Sequence, residues 1–490
     1  MYHPSGGELA IDWEPKMPVA TLRGIYVGGR WLSGGSATVR TDRWTGEVID
    51  EIATGGAGDA AAAVDAAVEA LSRGLSVPER SRILSTTADL LDARAEEFAR
   101  VVQQDMGKPI SSARLEVERA VGTLRYSAEE ARRLPGERVP LEATDAGAGT
   151  IAVTIPEPLG VVAAITPFNF PVNLVAHKLG PALAAGCPVV LKPSDKAPLA
   201  ALLLTELFEQ AGLPAGWLNV VNGPAEPIVD EWLSDRRVAA IDFTGSARIG
   251  WQLKARSPRK SHILELGSNT AMYVDAGSDI ARAAADTIAA GFANSGQACI
   301  SLQRLYVHSA IADEFLSLVA ELMKGVRAGD PSLDSTVVGP LVTDEAADRV
   351  SSWVEDAVDA GASMLHGGRR SGALIAPTLL ATVSATSPLI SDEVFGPVVT
   401  AITVPDLHEA IQQVNRSDFG LNASIYSSDL KASMEFGRRV EAGTVLVNMP
   451  PSFRADHMPY GGVKDSGQGR EGVCYAVSEL LHQKLFVLKS

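Results

Sequence analysis

The chain has 490 residues, enough for two to four domains at about 100–200 residues each, and its 46% hydrophobic and 21% charged content excludes intrinsic disorder and fibrous repeats. A formal net charge of -16 repels phosphate backbones and anionic lipid, which argues against nucleic acid and membrane as partners, although a local basic cluster can still capture a small anion. Cys187, Cys299 and Cys474 are too few and too scattered for a disulfide framework or a zinc site, so no metal is expected and a reducing cytoplasm fits best. Pro4, Glu8, Asp12 and Glu14 do not make an export leader, and no apolar run is long enough to span a bilayer.

In chain order, residues 59–71 form an alanine-rich helical pattern, and after Pro78 the apolar positions Ile83, Leu84, Leu90, Leu91, Phe98 and Val102 predict one further amphipathic helix. A third helix is expected over about 111–133, followed by a break at Leu134-Pro135-Gly136 and an alternating stretch toward Ile155 that reads as a projecting hairpin. Apolar runs at 160–166, 188–192, 218–221, 238–243 and 261–266 then alternate with helical segments at about 171–185, 198–211, 225–234 and 246–256. This is the pattern of a parallel, doubly wound α/β sheet. A second β/α succession, from about Ala271 to Asn448, implies another lobe. Ligands of such sheets bind outside the carboxyl ends of the strands, so the loops after each run are where chemistry is expected.

Those loops carry distinctive residues. Thr166-Pro167-Phe168-Asn169-Phe170-Pro171 sets an amide between two aromatics, either as a donor to a developing oxyanion or as a helix cap. Lys192-Pro193-Ser194-Asp195 offers a lysine that could reach a cofactor hydroxyl or phosphate and a carboxylate three positions later, although taken alone these residues read first as a solvated surface. Thr244-Gly245-Ser246 opens a helix whose free amides can face a phosphate, with two glycines, Gly245 and Gly250, where the usual dinucleotide fingerprint has three. Glu265 ends an apolar strand, as a base of raised pKa or as half of a salt bridge. Cys299, in the polar turn Asn294-Ser295-Gly296-Gln297-Ala298-Cys299, contrasts with Cys187, which leads into the apolar run 188–191 and reads as core.

Taken together these motifs resemble the NAD(P)-dependent aldehyde dehydrogenase superfamily, in the same order from about Gly24 to the C-terminus. Further matches are Glu393-Val394-Phe395-Gly396-Pro397, Pro459-Tyr460-Gly461-Gly462-Val463-Lys464, Ser466-Gly467 and Gly469-Arg470-Glu471. The resemblance implies a two-lobed fold: a Rossmann-like cofactor domain (1–135 and 151–258), a catalytic α/β domain (259–472) and an oligomerisation element (136–150 and 473–490) serving a homodimer or homotetramer. It assigns the nucleophile to Cys299, the oxyanion donor to Asn169 and the water-activating base to Glu265. Cofactor contacts fall on Thr166, Pro167, Lys192, Ser194, Asp195, Gly245, Ser246, Leu266, Glu393 and Phe395. The carboxylate of Asp195 disfavours a 2′-phosphate and so favours NAD, while its short side chain leaves NADP open. Ser268 departs from the glycine of many relatives.

The wording around residues 173–178 and 451–458 looks closest to the lactaldehyde-dehydrogenase-like branch, which implies a small polar or anionic aldehyde. Substrate contacts are then expected from Phe170, His177, Leu124, Ile300, Arg454 and His457, with Arg454 either gripping an anionic group or standing solvated at the rim. Two alternatives are a CoA-acylating enzyme, against which Glu265 argues, and a catalytically silent nucleotide-binding paralogue, against which the intact Cys299, Glu265 and Asn169 set argues.

Overall fold

The computed structural model describes residues 24–134 and 136–489. Pro4, Glu8, Asp12 and Glu14, Pro135 of the expected break, and Ser490 lie outside the described residues.

An eight-stranded sheet is built around five parallel strands in the spatial order Leu218–Val221, Val189–Lys192, Val161–Ile165, Val238–Thr244 and Ser261–Glu265. Short antiparallel strands flank it, Ile25–Val27 beside Leu218–Val221 and Gly467–Gln468 beside Ser261–Glu265. Val161–Ile165 is buried at every position, as a strand covered on both faces must be. The period of two sends Val162 and Ala164 into one hydrophobic core and Val161, Ala163 and Ile165 into the other. The first core includes residues of the helices Val77–Ala93, Ala95–Met106, Ile110–Glu130, Asn173–Ala185 and Leu199–Gln210. The second is covered by Ala57–Arg73, Ala225–Ser234 and Ala247–Arg256. The chain crosses first to one side of Val161–Ile165 and then to the other, so the strand order reverses there and a crevice opens at its carboxyl end, where Thr166 to Phe170 leave the sheet.

A seven-stranded sheet follows, parallel apart from the edge strand Ser363–His366, with Ala271–Val274 and Arg304–His308 among its central strands. Two apolar clusters cover its faces, one with Met272, Val274 and Leu305, the other with Tyr273, Tyr306 and Ile425. A third, antiparallel sheet joins Arg138–Val139, Thr150–Pro158 and Leu481–Lys489; its long pair keeps unbroken register from Pro158↔Leu481 to Thr150↔Lys489. The alternating stretch expected to run toward Ile155 thus continues through a strand ending at Pro158, past the 150 boundary given to the oligomerisation element.

The helix expected to run from Pro78 past Val102 is two helices. Arg94 (φ -112°, ψ 19°) caps the end of Val77–Ala93 and the start of Ala95–Met106, and its guanidinium is held by Glu97. Leu91 and Phe98 are seven residues apart and both buried, so the spacing conceals the bend. Among the described residues no helix is long and apolar enough to cross a membrane.

Candidate active site

The Cys299 turn is folded by backbone that few side chains tolerate. After the helix Ile280–Phe292, Asn294 and Ser295 take left-handed φ values of 52° and 58°, and Gly296 follows at 70°, where any side chain would collide with the Gly396 carbonyl. Side-chain bonds fix this reversal: the Ser295 hydroxyl bonds both the carbonyl and the amide of Gly339, and Gln297 Oε1 accepts from the Val342 N–H (3.0 Å). Cys299 is thereby presented to a cavity of about 210 Å³ at the crevice of the eight-stranded sheet. Burial pushes its thiol up to about 11, against hydrogen bonding from Tyr460 and the charge of Arg454, while Glu393 and Glu265 oppose ionisation further. Its sulfur lies 2.9 Å from the Tyr460 hydroxyl.

Glu265, 3% exposed at the end of its strand, faces the same cavity, and among the described residues neither carboxylate oxygen has a hydrogen-bond partner. The salt-bridge reading therefore fails. Burial, and then the nearby Glu471 carboxylate, raise its pKa well above 4.5, and Arg454 and Lys178 only partly offset this.

Asn169 does not cap the following helix, which begins at Asn173 with Val172 as its N-cap. The amides of Val172 and Asn173 are taken instead by Glu116 Oε1 (2.8 and 3.2 Å). Glu116 Oε2 in turn holds the buried Lys108 Nζ at 2.5 Å, and that ammonium donates to the Asn169 carbonyl at 2.7 Å and sits 3.9 Å above the Phe170 ring. The Asn169 amide, turned to the cysteine turn, donates to the Gln297 carbonyl (3.0 Å).

Pro167, Phe170, Gly245, Ser246, Leu266, Ile300, Glu393, Phe395 and Arg454 share the cavity with the catalytic candidates. A Cβ at Gly245 would meet the Phe243 ring at 2.5 Å, so glycine lets this turn pack on Phe243, and Gly250 seats the helix Ala247–Arg256 against Leu266. Glu393 accepts from the Ser268 backbone amide at 2.9 Å, and burial pushes its pKa up to about 7. The Ser268 hydroxyl turns aside to Thr270, so the amide that a glycine would also supply is retained. Thr166, directly after Val161–Ile165, and Lys192, Ser194 and Asp195, at the next strand end, do not line this cavity. Lys192 Nζ donates to the Pro193 carbonyl (2.8 Å) with Asp195 4.0 Å away, and Asp195 borders a separate cavity of about 530 Å³.

Three expected substrate contacts lie away from the wall. Leu124 is wholly buried among the helices because its face of Ile110–Glu130 packs inward. His177 is buried behind the wall, its Nε2 2.9 Å from Asp456 Oδ1. His457 is exposed and packs on Tyr126 instead, ring centroids 5.0 Å apart. Arg454 does reach the cavity, but as a buried group, paired with Glu471 (2.8 Å) and stacked 3.8 Å from the centre of the Tyr460 ring, its Nε unpartnered. Beside it Arg119, held by Asp456 in a bidentate pair, also lines the cavity.

The sequence reading assigned no role to Arg119, Lys178, Tyr460, Glu471 or the Lys108–Glu116 pair. Tyr460 and Glu471 stood inside recognised motifs, and Lys178 is a charge within the wholly buried helix Asn173–Ala185, which is a readable signal of a hidden partner. That partner is Asp242 at 2.5 Å, with Glu471 at 3.4 Å.

The model of the "Aldehyde dehydrogenase family" matches residues 31–486. The 3-sulfolactaldehyde dehydrogenase of Priestia megaterium is 42% identical over 465 residues, 95% of this chain and 98% of that protein. A lactaldehyde dehydrogenase of Methanococcus vannielii is 36% identical over 95% of this chain and 99% of its own length. Among solved structures, aldehyde dehydrogenase 21 of Physcomitrella patens in complex with the reaction product succinate superposes with a TM-score of 0.92 at 35% identity, covering 96% of this chain and 99% of that one. The doubly wound cofactor sheet, the second α/β sheet and these likenesses over almost the whole chain agree: the protein belongs to the aldehyde dehydrogenase family of NAD(P)-dependent oxidoreductases.

Proposed function

We propose that the protein oxidises a small anionic aldehyde to its carboxylic acid, using Cys299 as nucleophile, Asn169 as oxyanion donor and Glu265 as base. The observation that carries this reading is the convergence of all three on one cavity in which both oxygens of buried Glu265 are free. Once the thiol has released its proton to water, the Cys299 sulfur adds to the carbonyl carbon, the carbonyl electron pair moves to oxygen, and the Asn169 N–H donates to that oxyanion. After oxidation the acyl group remains on sulfur as a thioester, and water cleaves it as its proton passes to Glu265.

Lys192, Ser246, Glu393 and Phe395 would hold the dinucleotide, with Thr166, Pro167, Ser194, Asp195, Gly245 and Leu266 around it; once bound, it accepts a hydride. The helix N-terminus beginning at Ser246, with Gly245 and Ser246 on the cavity wall, fits a pyrophosphate. NAD is the preferred form, because the Asp195 carboxylate opposes a 2′-phosphate. The anionic end of the substrate meets Arg119 and Arg454, a choice supported by the unpartnered Arg454 Nε and by relatives named for sulfolactaldehyde and for a succinate complex. A cytoplasmic homodimer or homotetramer completes the proposal, with the cofactor, catalytic and oligomerisation parts divided as the resemblance implies.

A panel of sulfonated, carboxylated, phosphorylated and neutral aldehydes of similar size, scored by kcat/KM with NAD and with NADP, tests it. The anionic aldehydes with NAD are expected to lead, and Arg454→Ala should raise KM for an anionic aldehyde at least tenfold more than for a neutral one, on the order of one charge-assisted hydrogen bond. Equal effects on both would remove the anion site, higher kcat/KM with NADP would overturn the cofactor choice, and a CoA requirement for turnover would overturn the hydrolytic reading.

A further inference from the structure

We propose that the Tyr460 phenol is a catalytic residue of this protein, donating its hydrogen bond to the Cys299 thiolate; the inference rests on the reading of Cys299 as nucleophile. The two atoms are 2.9 Å apart, and the phenol is held there on every side. Its backbone is pinned by a reciprocal pair with Glu471, Tyr460 N–H to the Glu471 carbonyl at 3.0 Å and Glu471 N–H to the Tyr460 carbonyl at 2.7 Å. Its ring is 2% exposed, packed with Ile300 and Leu421.

Direction follows from valence. Beside a thiol either partner can donate, whereas beside a thiolate only the phenol carries a hydrogen, and a hydrogen bond to a charged acceptor is roughly twice as strong as a neutral one. The contact therefore favours the ionised sulfur. The Arg454 guanidinium, 3.8 Å from the ring centre, draws electron density from the ring and makes its hydroxyl a better donor. Burial strongly raises the pKa of Tyr460, so the phenol retains its proton. No proton leaves Tyr460 in this scheme: its O–H bond stays intact, and when sulfur adds to the carbonyl carbon the acceptor lone pair becomes the new S–C bond, so the hydrogen bond weakens as the thiolate is consumed.

The other charged groups facing the sulfur are Arg454, which favours the thiolate, and Glu393 and Glu265, which disfavour it. Tyr460→Phe leaves all three in place and removes one oxygen. Alkylation of Cys299 by iodoacetamide, followed by mass spectrometry between pH 6 and pH 10, reads the result. If the apparent pKa rises by about one unit, the thiolate fraction falls tenfold, and because intrinsic nucleophilicity rises with thiol pKa with a slope of about 0.4–0.5, the net loss on the rising limb is about threefold. The kcat/KM for aldehyde should fall by a similar factor, with Tm and NAD affinity unchanged. An unshifted alkylation profile, or a faster one at neutral pH, overturns the role given to Tyr460. Turnover persisting in Cys299→Ser would instead overturn the nucleophile, so the two failures are distinguishable.

Discussion

Glu265 joins chemistry to stability in one side chain. Its buried carboxyl has a pKa raised by desolvation and by Glu471, so the folded protein holds this proton more tightly than the unfolded chain does. The resulting stabilisation is complete below the ordinary value of 4.5 and is lost as pH rises through the higher folded value. Glu265→Gln should therefore lower steady turnover by about 10²–10⁴-fold while sparing the first-turnover burst of reduced cofactor, and its Tm advantage over the wild type should widen as pH rises. Stopped-flow absorbance and calorimetry across pH check both halves; a Tm difference independent of pH would contradict the account. At this scale the sequence was informative where a residue type is rare in its setting, as with a carboxylate ending an apolar strand or a cysteine in a polar turn. It was uninformative where function depends on which way a side chain points: Leu124, His177 and His457 sit in the expected segments but face the core, a buried aspartate and solvent.

The segment from Asn169 to Asn173 shows how an element is held by residues distant in sequence. Glu116 takes the two free amides at the start of the helix, and Lys108 neutralises Glu116 and grips the Asn169 carbonyl. Both side chains are completely buried, so removing one strands the other's charge, at a cost of about 3–5 kcal/mol. Lys108→Met is expected to lose stability of that order in denaturant titrations and to lower kcat more than it raises KM, because the Asn169 carbonyl is no longer held. The double variant Lys108→Met with Glu116→Gln, whose amide oxygen can still accept from Val172 and Asn173, should regain much of the stability but not the kcat. The helices and strands themselves were legible from apolar periodicity, nearly to their ends between Val161 and Glu265. The bend at Arg94 was not, because a seven-residue step preserves the helical phase across it, and the Lys108–Glu116 brace was not, because pairing across helices leaves no local pattern.

On the scale of the whole molecule, the antiparallel sheet of Thr150–Pro158 and Leu481–Lys489 exposes Ile151, Val153, Ile155 and Leu485 to Leu488 together, more apolar surface than isolated residues explain. As the proposed assembly surface it should fail when charged: Val153→Asp combined with Val487→Asp is expected to lower the mass measured by light scattering to that of a monomer, and an unchanged mass would move the interface elsewhere. The sheet's sequence alternation was readable, but its partner strand, more than 300 residues away, was reached only through the family resemblance.

The short strands around Ser466 have another consequence. Gly467–Gln468 pairs with Ser261–Glu265 of the first large sheet, while Val463–Lys464 pairs with Phe419–Gly420, which leads into the Asn422–Tyr426 strand of the second. Between them Ser466 is fully buried, its hydroxyl donating to the Gly267 carbonyl (2.7 Å) and accepting from the Gly420 amide (3.0 Å). Local opening on either side strains bonds held from the other, so this one stitch couples the stability of the two regions.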